Sequence, residues 1–256
     1  MLQQDRERRY DLIVWDWDGT LMDSTPTIVQ CIQQACRDLD LAEPNDTLAS
    51  SVIGLGIDDS LRRAVPSIAP ARYPELVERF RFHYLARDHE LHLFIGIREL
   101  LEHLRQAGFL LAVATGKSRR GLDRSLDFHE LDGLFHASRT ADETASKPNP
   151  AMLLELSDIL QVPLRRMLMI GDTTHDLFMA QNAGVDSVGV TYGAHPPEEL
   201  RAANALICVD NVHELAQWCK QHLYENSANL TKKVQRWWIR RKTGSDRLLS
   251  IYCLKI

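Results

Sequence analysis

Five short apolar runs, at residues 12–15, 110–114, 167–170, 187–190 and 206–209, constrain this chain more than any other feature. Each has the length of a strand and stops where a polar residue or a glycine begins. They are nearly continuous in apolar character rather than alternating, as expected of strands covered on both faces. Segments 97–107, 119–127, 150–160, 176–183 and 211–223 fall between or after these runs and carry helical patterns. Strand and helix alternating at this spacing predict an α/β fold with a Rossmann-like parallel sheet and right-handed crossovers. Ligands of such a sheet gather at the carboxyl ends of its strands.

The stretch between the first two runs breaks this rhythm, because it is far longer than one crossover needs. From Pro26 to about Asp88 its pattern is helical. Ser24 or Thr25 suits a helix cap with Pro26 in the first turn, and Ile28, Ile32, Ala35 and Leu39 then recur at helical spacing. Gly54-Leu55-Gly56 interrupts the pattern, and further helical runs follow at 59–65 and 74–87. The expected organisation is therefore an α/β core at 8–22 and 92–222, an inserted α-helical cap domain at 23–91, and a tail at 223–256.

Polar residues at the expected strand ends form one constellation. Asp16-Trp17-Asp18-Gly19-Thr20 follows the first strand and brings two carboxylates to the sheet edge. Thr115-Gly116-Lys117 follows the second, where a hydroxyl and open backbone N–H groups suit a phosphoryl oxygen. Lys147-Pro148-Asn149-Pro150 places a cation just before a helix start, where it has a reason to be only if an anion is there too. Gly171-Asp172-Thr173-Thr174-His175-Asp176 adds two more carboxylates. Four acids at one edge repel one another, and a divalent cation relieves them; an oxygen-only ligand set favours Mg²⁺.

These four motifs, in this order and with this insertion, resemble the haloacid dehalogenase-like (HAD) hydrolase superfamily over roughly residues 10–222. The insertion resembles the helical cap of the subclass that includes phosphoglycolate phosphatases and β-phosphoglucomutases. That resemblance implies roles. Asp16 is the nucleophile that forms an aspartyl-phosphate, and Asp18 is the acid and base for the leaving oxygen and the attacking water. Thr115 and Gly116 bind a phosphoryl oxygen, and Lys147 offsets charge on the transferring group. The Asp16 side chain, the Asp18 carbonyl and Asp172 are the expected metal ligands, with Asp176 as an outer carboxylate.

The reaction class follows from which residues are present. Dehalogenases of this superfamily lack the second aspartate, so Asp18 favours phosphate esters. Phosphonate cleavage needs a cap lysine, and residues 1–116 contain none. A phosphomutase, or a nucleotidase or pyrophosphatase on the same core, is the alternative. A non-enzymatic binding module is expected to have lost one of these residues. Arg62 and Arg63 are candidates to meet a substrate carboxylate, although a solvated helix face explains them equally simply.

Charge separates the body from the tail. Residues 225–256 hold eight Lys or Arg against Glu225 and Asp246, whereas the rest holds 22 basic and 33 acidic side chains. An acidic body argues against nucleic acid as a partner; the resemblance implies a small phosphorylated metabolite. Five cysteines without paired spacing fit a reducing, cytoplasmic setting. The tail, with Trp237-Trp238 among basic residues, is expected to be a poorly ordered extension without a catalytic role. Membrane contact is the competing explanation for it. A monomer or a homodimer fits equally.

Overall fold

The computed structural model describes residues 8–223. The basic tail expected at 225–256 lies outside the described residues. Six parallel strands form one sheet: β1 (Leu12–Trp15), β2 (Leu110–Thr115), β3 (Ala137–Thr140), β4 (Met167–Gly171), β5 (Asp186–Val190) and β6 (Ile207–Val209), in the order β3-β2-β1-β4-β5-β6. Leu12 pairs with Leu110 on one side and with Met167 on the other, so β1 is central. The chain builds outward from β1 through β2 to β3, then returns to β4 and builds the opposite way. That reversal opens a crevice at the carboxyl ends of β1 and β4, the usual ligand position in such a sheet.

The strands form because their side chains are buried on both faces. All four residues of β1 are inaccessible, as are Leu111 to Ala114 and Met167 to Ile170. One face packs Leu12, Val14, Ala112, Met167 and Met169 against Met152, Leu153 and Leu156 of α7 (Ala151–Leu160) and Met179, Ala180 and Ala183 of α8 (Thr174–Ala183). Burying each large apolar side chain here contributes about 1.5–3 kcal/mol. Asn149 assists the start of α7, its Oδ1 accepting the Ala151 N–H at 3.0 Å.

Between β1 and β2 the chain forms α1 (Thr25–Asp38), α2 (Asp46–Ser51), α3 (Ile57–Ala64) and α4 (Tyr73–Leu85), then α5 (Ile97–Gln106). The first four share their own apolar cluster, including Ile32, Ala35, Val52, Ile53, Leu61 and Leu76. The remaining helices are α6 (Arg119–Phe128), α9 (Pro197–Ala202) and α10 (Val212–His222). Among the described residues no helix is long and apolar enough to cross a membrane.

Candidate active site

Asp16 directly follows β1, and its N–H donates to the Ile170 carbonyl of β4 at 2.9 Å. The ladder thus carries Asp16 to the crevice beside Asp172, the first residue after β4. Both are completely buried. Asp172 is held at both oxygens: Thr20 Oγ1 donates to Oδ1 at 2.7 Å, and the Ala194 N–H donates to Oδ2 at 2.7 Å. Gly19 and Gly193 make room for this carboxylate, since a Cβ at either would lie 2.1–2.2 Å from Asp172 Oδ2.

Asp176 is fixed by the start of α8. Thr173 is the N-cap, and a capping box forms: Thr173 Oγ1 accepts the Asp176 N–H, and Asp176 Oδ2 accepts from the Thr173 N–H and hydroxyl at 3.1 and 2.7 Å. The other oxygen is left to the site, where Asp176 Oδ1 meets Lys147 Nζ at 2.6 Å as an ion contact off the hydrogen-bond direction. The same ammonium donates to Asp16 Oδ1 at 2.5 Å. The anions expected near Lys147 are therefore these two carboxylates.

Asp16, Asp172 and Asp176 each present an oxygen within 4.8 Å of the other two. One lysine faces three buried carboxylates. Burial pushes the Asp16 carboxyl well above its ordinary range, against the pull of Lys147 and with the help of Asp176 and Asp172. Burial and the Asp176 charge push Asp172 up to about 7, despite the Ala194 and Thr20 hydrogen bonds. Asp16 Oδ2 is buried and accepts no hydrogen bond. A buried carboxylate oxygen without a donor, in a cluster with excess negative charge, fits a divalent cation.

Asp18 has different partners. Its Oδ1 accepts from Ser24 Oγ at 2.8 Å, and Lys117 Nζ lies 3.1 and 3.2 Å from its two oxygens. The sequence suggested one crowd of four carboxylates; three are drawn together and Asp18 is paired separately. Ser24 stands at the N-cap of α1 but makes no side-chain cap bond, its hydroxyl being turned to Asp18 instead.

Thr115, buried at the end of β2, accepts the Lys117 N–H on its hydroxyl oxygen at 3.2 Å. The loop at 53–56 reaches this edge: the Gly56 N–H donates to Ser146 Oγ at 2.9 Å. A Cβ at Gly116 would lie 2.3 Å from the Leu55 carbonyl oxygen. His175 and His195 both meet the Ser51 carbonyl, at 3.0 and 3.1 Å, tying the end of α2 to this edge. Arg62 and Arg63 are exposed, and Arg62 lies 3.9 Å over the Tyr73 ring. Lys117, Ser24, Thr20 and Tyr84 are polar contributors that motif reasoning passed over. Lys117 and Thr20 stood inside quoted motifs, but nothing in the spacing announced their partners.

Residues 13–190 match the family model described as haloacid dehalogenase-like hydrolase. The chain is 33% identical over 229 residues to a phosphoglycolate phosphatase of Vibrio parahaemolyticus, covering 85% of this chain and 97% of that protein. It is 32% identical over 215 residues to a phosphoglycolate phosphatase of Vibrio cholerae, covering 80% and 95%. A solved structure of a predicted phosphoglycolate phosphatase from Haemophilus somnus superposes with a TM-score of 0.74 at 26% identity, covering 82% of this chain and 97% of that one.

Proposed function

This chain belongs to the haloacid dehalogenase-like hydrolases and is a phosphatase of that family, and we propose that it hydrolyses a small phosphate monoester through an aspartyl-phosphate on Asp16. The observation that carries this is the state of Asp16 at the end of the central strand: one oxygen is neutralised by Lys147 and the other is buried without a donor. A carboxylate so placed can meet a metal through one oxygen and phosphorus through the other, with Lys147 beside it for the charge that develops.

The other roles follow from position. The Asp16 side chain, the Asp18 carbonyl and Asp172 would hold Mg²⁺, with Asp176 as an outer carboxylate in the same acidic cluster. Mg²⁺, when bound, would orient the phosphoryl group and offset its charge. Thr115 would donate its hydroxyl proton, and Gly116 its backbone N–H, to phosphoryl oxygens. Lys147 would hold the transferring group against Asp16. Asp18 would protonate the departing alkoxide and then take a proton from the water that attacks the aspartyl-phosphate.

The inserted segment 23–91 would serve as a cap that excludes bulk water. Its loop at 53–56 lies so close to Gly116 that a small ester is favoured, and the phosphoglycolate phosphatases among the relatives make a short anionic ester the leading candidate. A cytoplasmic metabolite is consistent with free thiols at Cys31, Cys36, Cys208 and Cys219.

Phosphate release from a panel of small esters, with Mg²⁺ and with chelator, tests the proposal in wild type and Asp16→Asn. Mg²⁺-dependent release that falls by about 10³-fold or more in the variant is expected. Release that persists in Asp16→Asn would remove Asp16 as the nucleophile.

A further inference from the structure

Lys117 is a buried cation that the reaction outlined above does not use. Its side chain is 9% exposed, and its ammonium has three oxygen partners for three N–H bonds: Asp18 Oδ1 at 3.1 Å, Asp18 Oδ2 at 3.2 Å and Tyr84 Oη at 2.6 Å. The donor set is complete. Tyr84 belongs to α4, in the inserted segment, and its ring stacks on Phe80 with centroids 5.9 Å apart. Phe80 in turn packs against the apolar cluster that unites α1 to α4. A continuous set of contacts therefore runs from the core of the inserted helices, through Tyr84 and Lys117, to both oxygens of Asp18.

A buried ion pair is a poor device for stability, because desolvation offsets most of its Coulomb gain. Its value is geometric. Asp18 has one other side-chain contact, the Ser24 hydroxyl on Oδ1, which by itself leaves the carboxylate free to turn about that bond. Lys117 spans both oxygens and removes that freedom. Tyr84 then fixes Lys117, since an ammonium on a four-carbon stem has little directional preference of its own.

We propose that Lys117 and Tyr84 are positioning residues that aim Asp18 at the leaving oxygen, Tyr84 doing so from the inserted helices. This rests on the phosphatase function assigned above. In the step concerned, the O–P bond to the leaving group breaks as the bond from an Asp16 oxygen to phosphorus forms, and the proton that Asp18 carries into the step passes to the departing oxygen, leaving the carboxylate that Lys117 spans. Help from an aimed acid matters in proportion to the basicity of that oxygen. An alkoxide needs it, and a p-nitrophenolate does not.

The test compares kcat/KM for β-glycerophosphate and p-nitrophenyl phosphate, since this constant reports the steps through leaving-group departure. Tyr84→Phe removes a single oxygen and keeps the ring on Phe80. It is expected to lower kcat/KM about 10-fold on the alkyl ester and at least five times less on the aryl ester, within the roughly 10²–10⁴-fold that a positioned acid supplies. Lys117→Met is expected to widen the gap to about 10²-fold; Tyr84→Phe keeps the test decisive if that variant does not fold. Equal losses on both esters, or none, in folded Tyr84→Phe would overturn the inference while leaving the function intact. A wild type that releases phosphate from neither of these esters nor from any short anionic ester of the panel would overturn the phosphatase assignment and this inference with it.

Discussion

Lys147 neutralises two of three buried carboxylates, and its removal tests how the site holds its charge. Its ammonium is inaccessible and lies 2.5 Å from Asp16 and 2.6 Å from Asp176. Lys147→Met would leave Asp16, Asp172 and Asp176 without a cation, and breaking a buried pair on one side costs about 3–5 kcal/mol. In metal-free buffer a Tm drop of roughly 6–20 °C is expected, at about 2–4 °C per kcal/mol. Added Mg²⁺ is expected to restore part of it. A metal-free Tm equal to that of wild type would mean that the carboxylates are not charged together in the folded state. At this scale the sequence was informative about identity and silent about pairing. Asp16, Asp172, Asp176 and Lys147 stand out because each sits at a strand or helix end. The Lys117–Asp18 pair does not, because the partners are 99 residues apart and no periodicity links them.

Among the elements, β3 and its connections show where the sequence falls silent. Its residues Ala137, Ser138, Arg139 and Thr140 carry no apolar run, because an edge strand needs only one ladder and its first three side chains are only half-buried. The apolar-run criterion finds strands covered on both faces, and β3 is not one of them. The six-residue helices α2 and α9 are too short for a helical stripe. Polar bonds hold β3 in place instead. Glu143 accepts from the Thr140 N–H at 3.1 Å, the Thr140 hydroxyl at 2.9 Å and Arg119 at 3.0 and 2.7 Å, joining the end of β3 to the first residue of α6. The Arg119 and Thr140 bonds draw its carboxyl down to about 2 from an ordinary 4.5. A lowered carboxyl stabilises the fold above its unfolded value and loses that contribution as pH falls through the folded value. Glu143 is partly exposed, so solvent screening limits the effect to about 1 kcal/mol. Glu143→Gln is therefore expected to be less stable than wild type by about that amount at pH 7. In urea melts the gap should shrink between pH 4.5 and 2; a gap of constant size would show that ionisation is not its source.

At the scale of the molecule, the close approach of the segment between β1 and β2 to the sheet edge can be tested at one glycine. The insertion was legible as an excess of helical sequence between two strands. Its docking was not, because it combines backbone contacts with side-chain pairs far apart in sequence, such as Tyr84 with Lys117, and neither leaves a periodic trace. Gly116 shows this best. A methyl group there would lie 2.3 Å from the Leu55 carbonyl oxygen and 2.6 Å from the Gly54 carbonyl oxygen, and backbone on both sides cannot yield as a side-chain tip does. Gly116→Ala should push the 53–56 loop off Thr115, at a cost of about 1–3 kcal/mol typical of overpacking. Gly121, inside α6, provides the contrast: a methyl group there meets only Ser118 Oγ at 3.3 Å and carbon of the Lys117 stem at 4.0 Å. Gly121→Ala adds about 0.5–1 kcal/mol of helix propensity against a 3.3 Å approach to the capping Ser118 Oγ, so its stability should stay within about 1 kcal/mol of wild type. Thermal melts paired with kcat/KM on a small ester separate the cases. Gly116→Ala should lose about 10-fold or more in kcat/KM as the loop departs, while Gly121→Ala should stay within about twofold of wild type. If Gly116→Ala kept wild-type kcat/KM, the close approach of the insertion to the Thr115 edge would have no part in turnover.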